Sequence, residues 1–210
     1  MNNLVSLARR LLPHALFVVP SEAPRFATLG ESDMSEAQKA VHAAIASGPR
    51  GGVRGPFNAL LRSPELADRV QKLGEYLRFN SSLPARLNEL AILVTARHWT
   101  AQYEWYAHQI LAVKAGLDPA VAADIARGVR PAKLQADEAL VYDFCTELHR
   151  DKTVSDATYA AALNAFGERG VVDLLGVSGY YTLVSMVLNV DRYPLPAGVS
   201  APLQDLTKAR

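Results

Sequence analysis

The stretch that decides the fold runs from Pro84 to Gly116 and reads PARLNELAILVTARHWTAQYEWYAHQILAVKAG. Apolar residues recur in it at helical spacing on both sides of a central break, which predicts two helices joined by a tight turn. Four ionisable residues interrupt the otherwise apolar faces: Arg86, Glu89, Glu104 and His108. We therefore expect these side chains to lie against protein rather than in open water.

The ends of the two helices are marked by residues with strong positional preferences. Pro84 can begin the first helix, because the N–H group that proline lacks has no partner at that position anyway. Thr100 is predicted to cap the second helix, and Gly116 to end it. The remaining chain shows further helical patterns and no alternating pattern with hairpin turns, so we predict an all-α protein.

Within the pair, the spacing of the ionisable residues brings them onto shared faces. Glu104 and His108 are four residues apart, so a carboxylate and an imidazole meet on one surface of the second helix. Arg86 lies three residues before Glu89 on the first helix. Two interpretations of Arg86 stay open: it forms a salt bridge with Glu89, or it attracts a carboxylate of a substrate.

The same spacing resembles the signature of the carboxymuconolactone decarboxylase family, which includes the alkylhydroperoxidase-D-type enzymes. In the peroxidase branch, the signature is a glutamate, eleven residues, a cysteine, two residues, a second cysteine, three residues and a histidine. Glu89 and His108 occupy the glutamate and histidine positions, whereas Ala101 and Glu104 occupy the cysteine positions. The chain is thus similar to the decarboxylase-like branch, which lacks the cysteine pair, over most of residues 34–196.

The resemblance implies an alkylhydroperoxidase-D-like helical domain over residues 34–196. Residues 1–33 would form an N-terminal arm, with a signal peptide as the less favoured interpretation, and residues 197–210 would form a C-terminal tail. Family members are commonly trimers or hexamers, so a homo-oligomer is expected. The last long segment, roughly residues 171–189, is nearly long and apolar enough to span a bilayer, but polar residues interrupt it, and we predict a core helix.

Two nearby carboxylates cannot both ionise cheaply, so one tends to keep a proton that a neighbouring imidazole can hold or relay. Such a group can protonate a carbanion, and decarboxylation of a carboxylated lactone needs that step and no metal or organic cofactor. The resemblance therefore implies a lyase-type enzyme that acts on a small carboxylate or lactone formed in aromatic-compound degradation. The predicted catalytic residues are Glu89, Glu104 and His108, and the predicted substrate-binding residues are Arg86, Trp99, Tyr103 and Trp105.

Two alternatives remain beside this hypothesis. The polar cluster could be a satisfied network in the core of a helical protein that binds a ligand or has only a structural role. Thiol peroxidase chemistry ranks third, because it needs two thiols and the chain has the single cysteine Cys145.

Composition excludes several other classes. The chain has 210 residues, half of them hydrophobic, and a net charge of +1. No long run of one charge suggests a nucleic-acid partner or a polybasic membrane anchor. With one cysteine no internal disulfide is possible, so a reducing cytoplasm is the expected location.

Overall fold

The computed structural model describes residues 23–204 and Leu206, and all regular structure in this part is helical. A 3₁₀ turn at Glu31–Asp33 precedes the α-helices. These are α1 (Glu36–Ser47), α2 (Phe57–Leu60), α3 (Pro64–Phe79), α4 (Ala85–His98), α5 (Gln102–Lys114), α6 (Pro119–Ala126), α7 (Ala136–Asp151) and α8 (Asp156–Asp191). The all-α prediction is confirmed for the described residues.

Helix α4 is the centre of the fold, because α5, α6, α7 and α8 all pack against it. A helix that is apolar nearly all round can only be stable when it is covered on every side. The apolar α4 side chains that are at most 1% exposed are Leu87, Leu90, Ala91, Ile92, Leu93 and Ala96. The quoted stretch therefore supplies both the core helix and its first partner.

The turn between α4 and α5 differs in detail from the prediction. Thr100 does not cap α5, since the capping position is Ala101 and Thr100 has a left-handed backbone with φ of 49°. Its hydroxyl instead accepts a hydrogen bond from Arg97 Nη2 at 2.7 Å. The amide of Ala101 donates to the Ala96 carbonyl at 2.9 Å, which closes the turn and lets α5 run back along α4.

Asp173 fixes the chain just before α4 begins. It is 5% exposed and accepts hydrogen bonds from the Ser82 amide at 2.8 Å, the Ser82 hydroxyl at 2.6 Å and the Tyr76 hydroxyl at 2.9 Å. Burial by itself would raise the pKa of Asp173, but these hydrogen bonds outweigh burial and lower it. An ionised carboxylate on α8 thus anchors both α3 and the turn into α4.

Helix α8 contains the apolar segment predicted to be a core helix. Gly167 interrupts it with φ of 67° and ψ of 175°, a conformation that glycine adopts without steric cost. This break lies just before the segment, roughly residues 171–189, for which the sequence predicts a core helix. Among the described residues, α8 alone is long and apolar enough to cross a membrane. Of its most apolar 18-residue segment, 56% is buried inside the protein.

Both ends of the described chain pack against the helices. The Phe26 amide donates to Asp191 Oδ1 at 2.8 Å, and Asn58 Nδ2 donates to the Phe26 carbonyl at 3.1 Å. Near the other end Leu203 is 3% exposed, and its backbone is bonded on both sides by the Gln102 side chain. The predicted arm and tail include residues 1–22, 205 and 207–210, which lie outside the described residues.

Candidate active site

Helices α4 and α5 bring three titratable side chains together. Glu89 belongs to α4, whereas Glu104 and His108 lie one turn apart on α5. His108 Nδ1 is 2.6 Å from Glu89 Oε2, and His108 Nε2 is 2.9 Å from Glu104 Oε1. The imidazole therefore bridges two carboxylates, one from each helix of the central pair.

The protonation of His108 follows from its surroundings. Burial, the largest single effect, disfavours the charged imidazolium, but Glu104 and Glu89 outweigh it and raise the pKa of His108 from 6.5 to about 9. Both ring nitrogens then carry protons at neutral pH, and each can donate to one carboxylate. The side chains of His108 and Glu104 are 6% and 5% exposed, so water screens this interaction little.

A cavity of about 330 Å³ opens beside this cluster. Glu104 and His108 line it, whereas Glu89 is not among the lining residues. The wall also includes Arg50, Arg54, Phe57, Arg78, Tyr103, Tyr106, Ile110, Leu111, Tyr180, Tyr181 and Val184. The volume suits a small organic molecule, and the charged residues in the wall give it polar groups to orient that molecule.

Three arginines give the cavity its charge. Arg50 and Arg54 come from the loop before α2, and Arg78 comes from the last turn of α3. Among the described residues none of the three forms an ion pair with a carboxylate. Unpaired guanidinium groups around a small cavity favour an anionic ligand.

Two adjacent tyrosines of α8 complete the wall next to the cluster. The Tyr181 ring lies edge-on to the His108 ring, with centroids 5.0 Å apart. Its buried hydroxyl has no hydrogen-bond partner among the described residues. Burial raises the pKa of Tyr181 well above 10, so the hydroxyl stays neutral and can donate a hydrogen bond.

Arg86 occupies a different place from the predicted one. Its Nη2 lies 2.7 Å from Asp137 Oδ2, and its Nη1 bonds to Glu138, both on α7. It therefore neither pairs with Glu89 nor lines the cavity. Because Arg86 is paired with these two carboxylates, it ties α4 to α7 and is not positioned to bind a ligand in this cavity.

The three aromatic residues predicted to bind the substrate do not all line the cavity. Tyr103 lines the cavity, as expected for a substrate-binding residue. Trp105 is fully buried and donates to Gln109 Oε1 at 3.1 Å, and Trp99 donates to Thr182 Oγ1 at 3.2 Å. Neither tryptophan is among the cavity residues, so both act in packing, because each indole N–H found a partner outside the cavity.

Sequence reasoning missed the arginines and the tyrosine pair. Arg50 and Arg54 lie in a glycine-rich loop that has no phosphate-loop motif. The two basic residues in this loop were the sequence feature that could have indicated an anion-binding role. Tyr180 and Tyr181 place two hydroxyl groups in an otherwise apolar helix, and this feature could have indicated polar groups at a site. Only the tertiary fold shows that α8 carries them to the face of His108.

The single cysteine lies outside the cavity. Cys145 on α7 is fully buried, and its sulfur lies 3.5 Å from the Ser178 hydroxyl. Burial raises the pKa of Cys145 to about 12, so almost no thiolate exists at neutral pH. A buried thiol of this kind does not provide the accessible nucleophile that peroxide reduction needs.

Comparison with known proteins supports the fold. A crystal structure of an uncharacterized peroxidase-related protein from Silicibacter sp. TM1040 superposes with a TM-score of 0.66 and 18% sequence identity. The match covers 84% of this chain and 94% of that protein. No protein-family model matches the sequence, and no curated protein matches it. The chain has an all-α, alkylhydroperoxidase-D-like fold.

Proposed function

We propose that this protein is a cofactor-independent, lyase-type proton-transfer enzyme that decarboxylates a small carboxylated lactone or a related compound. The observation that carries the proposal is the position of Glu104. Its carboxylate lies 2.9 Å from His108 Nε2 and faces a cavity lined by three arginines that have no acidic partner among the described residues. A proton donor and a site for an anion thus share one small space.

The arrangement suits a carboxylate that leaves as carbon dioxide. When the bond between the carboxylate and its carbon breaks, the electron pair passes into the unsaturated lactone and forms a dienolate. The cavity arginines are the donors available to the developing oxyanion. They stabilise the negative charge as it moves from the carboxylate onto the lactone oxygen in the transition state.

The dienolate carbon then needs one proton. Glu104 is the assigned donor, since it lines the cavity and can take a proton from His108 Nε2 before delivering it to carbon. Glu89 keeps its bond to Nδ1 and stabilises the charged imidazole from outside the cavity. One proton from water restores the cluster, so each turnover consumes one proton and releases one carbon dioxide.

The spacing of Glu89, Glu104 and His108 also supports this reaction, because it resembles the decarboxylase-like branch named above. The peroxidase-related description of the structural neighbour does not transfer a thiol mechanism to this chain. Ala101 and Glu104 stand where the peroxidase branch has cysteines, and Cys145 is buried away from the cavity. The side chains that line the cavity support acid–base chemistry instead.

The direct test is release of carbon dioxide from 4-carboxymuconolactone by the purified protein. We expect saturable release by the wild type and background release by His108→Ala, measured at a pH where both proteins are folded. Circular dichroism of both proteins provides the folding control. Absence of release from the folded wild type would exclude this substrate and leave the cavity as a binding site for another anion.

A further inference from the structure

In the part of the chain that the structure describes, the groups that hold Arg50 in the cavity are neutral. Its Nη2 donates to the Tyr180 hydroxyl at 3.3 Å, and its guanidinium carbon lies 5.0 Å from the centre of the Phe57 ring. Its Nε is buried and has no hydrogen-bond partner among the described residues. Since a guanidinium offers five N–H donors, Arg50 is fixed in position but keeps donors unused.

Gly74 makes this position possible. A Cβ atom at residue 74 would lie 2.1 Å from the Tyr180 hydroxyl oxygen and 2.3 Å from Arg50 Nη2. Glycine is a poor residue inside a helix, and α3 has no bend or left-handed backbone there that would otherwise require it. The missing side chain is therefore explained by the room that the Arg50–Tyr180 pair occupies against α3.

The pair also lies close to the reacting groups. Tyr180 and Tyr181 have ring centroids 5.0 Å apart, and Tyr181 and His108 are separated by the same distance. One aromatic ring thus stands between the ring of Tyr180 and the imidazole. A small molecule in the cavity can reach Arg50 with one end while another part lies beside Glu104.

We propose that Arg50 and Tyr180 form a subsite for a second, non-reacting carboxylate of the substrate, and that Gly74 is required for it. The inference rests on the proposed function in one respect, namely that the substrate is a small carboxylate. The two Nη groups of a guanidinium can match the two oxygens of a carboxylate in a planar, two-bond arrangement. The enzyme would therefore select dicarboxylates over monocarboxylates of the same size.

The test uses unreactive probes and does not depend on turnover. Isophthalate carries two carboxylates, and 3-carbamoylbenzoate has the same shape with one carboxylate replaced by a neutral amide. Isothermal titration calorimetry at pH 7.5 should show that the wild type binds isophthalate about ten- to hundredfold more tightly than 3-carbamoylbenzoate. Arg50→Gln should bring this ratio close to one, and Arg50→Lys should restore part of it.

Two further variants separate the subsite from general effects. Gly74→Ala should also abolish the preference, because the new methyl group displaces Arg50 and Tyr180. Arg69→Gln removes an exposed arginine of α3 outside the cavity and should leave the ratio unchanged. If Gly74→Ala does not fold, the two Arg50 variants decide the result.

The outcomes distinguish this inference from the proposed reaction. Loss of the preference in Arg50→Gln supports the subsite even if the wild type releases no carbon dioxide from 4-carboxymuconolactone. A wild type without any preference for isophthalate, or an Arg50→Gln protein that retains it, overturns the subsite whatever the reaction is.

Discussion

Glu104→Gln is expected to lower the rate of carbon dioxide release by about 10³-fold. Glutamine has almost the same shape as glutamate and can still bond to His108, but it cannot carry a proton to the dienolate carbon. The loss should appear in kcat, because the amide leaves the arginines that bind the substrate in place. The measurement is steady-state turnover of the wild type and the variant.

Glu89→Gln is the matched control for this prediction. The same chemical change then falls on the carboxylate outside the cavity, 2.6 Å from the other ring nitrogen. We expect a clearly smaller loss of kcat, since Glu89 stabilises the imidazolium without touching the substrate. Equal losses from both variants would mean that Glu104 has no separate role as the proton donor.

His108→Ala is expected to lower the free energy of unfolding by about 3–5 kcal/mol at pH 7. The imidazolium is the positive charge that compensates Glu89 and Glu104 where they are shielded from water. Its removal leaves the two carboxylates close together without the positive charge that compensates them. Urea denaturation of both proteins measures the difference.

The same interaction gives this difference a defined pH dependence. Because the pKa of His108 is raised from 6.5 to about 9, its contribution to stability is complete below pH 6.5 and is lost as the pH rises through 9. The shift corresponds to about 3 kcal/mol. The stability gap between the wild type and His108→Ala should therefore narrow between pH 7 and pH 10.

His149→Ala serves as the control for that experiment. His149 is also buried, but burial and the nearby His98 and Lys152 lower its pKa to about 4, so it is neutral at pH 7. Its Nε2 contacts the Thr95 hydroxyl at 2.9 Å. The difference in free energy of unfolding between the wild type and His149→Ala should therefore not change between pH 7 and pH 10. A similar constancy for His108→Ala would show that His108 is not charged in the folded protein.

The centre of the fold and the cluster could both be predicted because they depend on short-range spacing. The apolar residues of α4 and α5 follow the helical period, and a turn of only a few residues forces the two helices to lie side by side. Glu104 and His108 are one helical turn apart, which fixes their contact locally. Glu89 joins them across the pair, where its spacing resembled a known family signature.

The rest of the site depends on contacts between distant parts of the chain. Arg78 belongs to α3, Arg50 to the loop that precedes α2, and Tyr181 to α8. No local sequence pattern indicates that these three elements surround one cavity. Arg86 is the opposite case, a residue that local spacing assigned to the site but that distant contacts hold elsewhere. Its partners lie 51 and 52 residues further along the chain, so spacing within α4 could not show that its charge was already paired.

The most direct test of the account is the protonation state of His108 in the ligand-free protein. Nitrogen-15 NMR of histidine-labelled protein reports it, with the resonances assigned by their loss in His108→Gln. We predict that both ring nitrogens are protonated at pH 7.5 and titrate with a midpoint near 9. A neutral imidazole at pH 7.5, with a midpoint at or below 6.5, would contradict the charged carboxylate–imidazolium–carboxylate cluster on which the proposed mechanism depends.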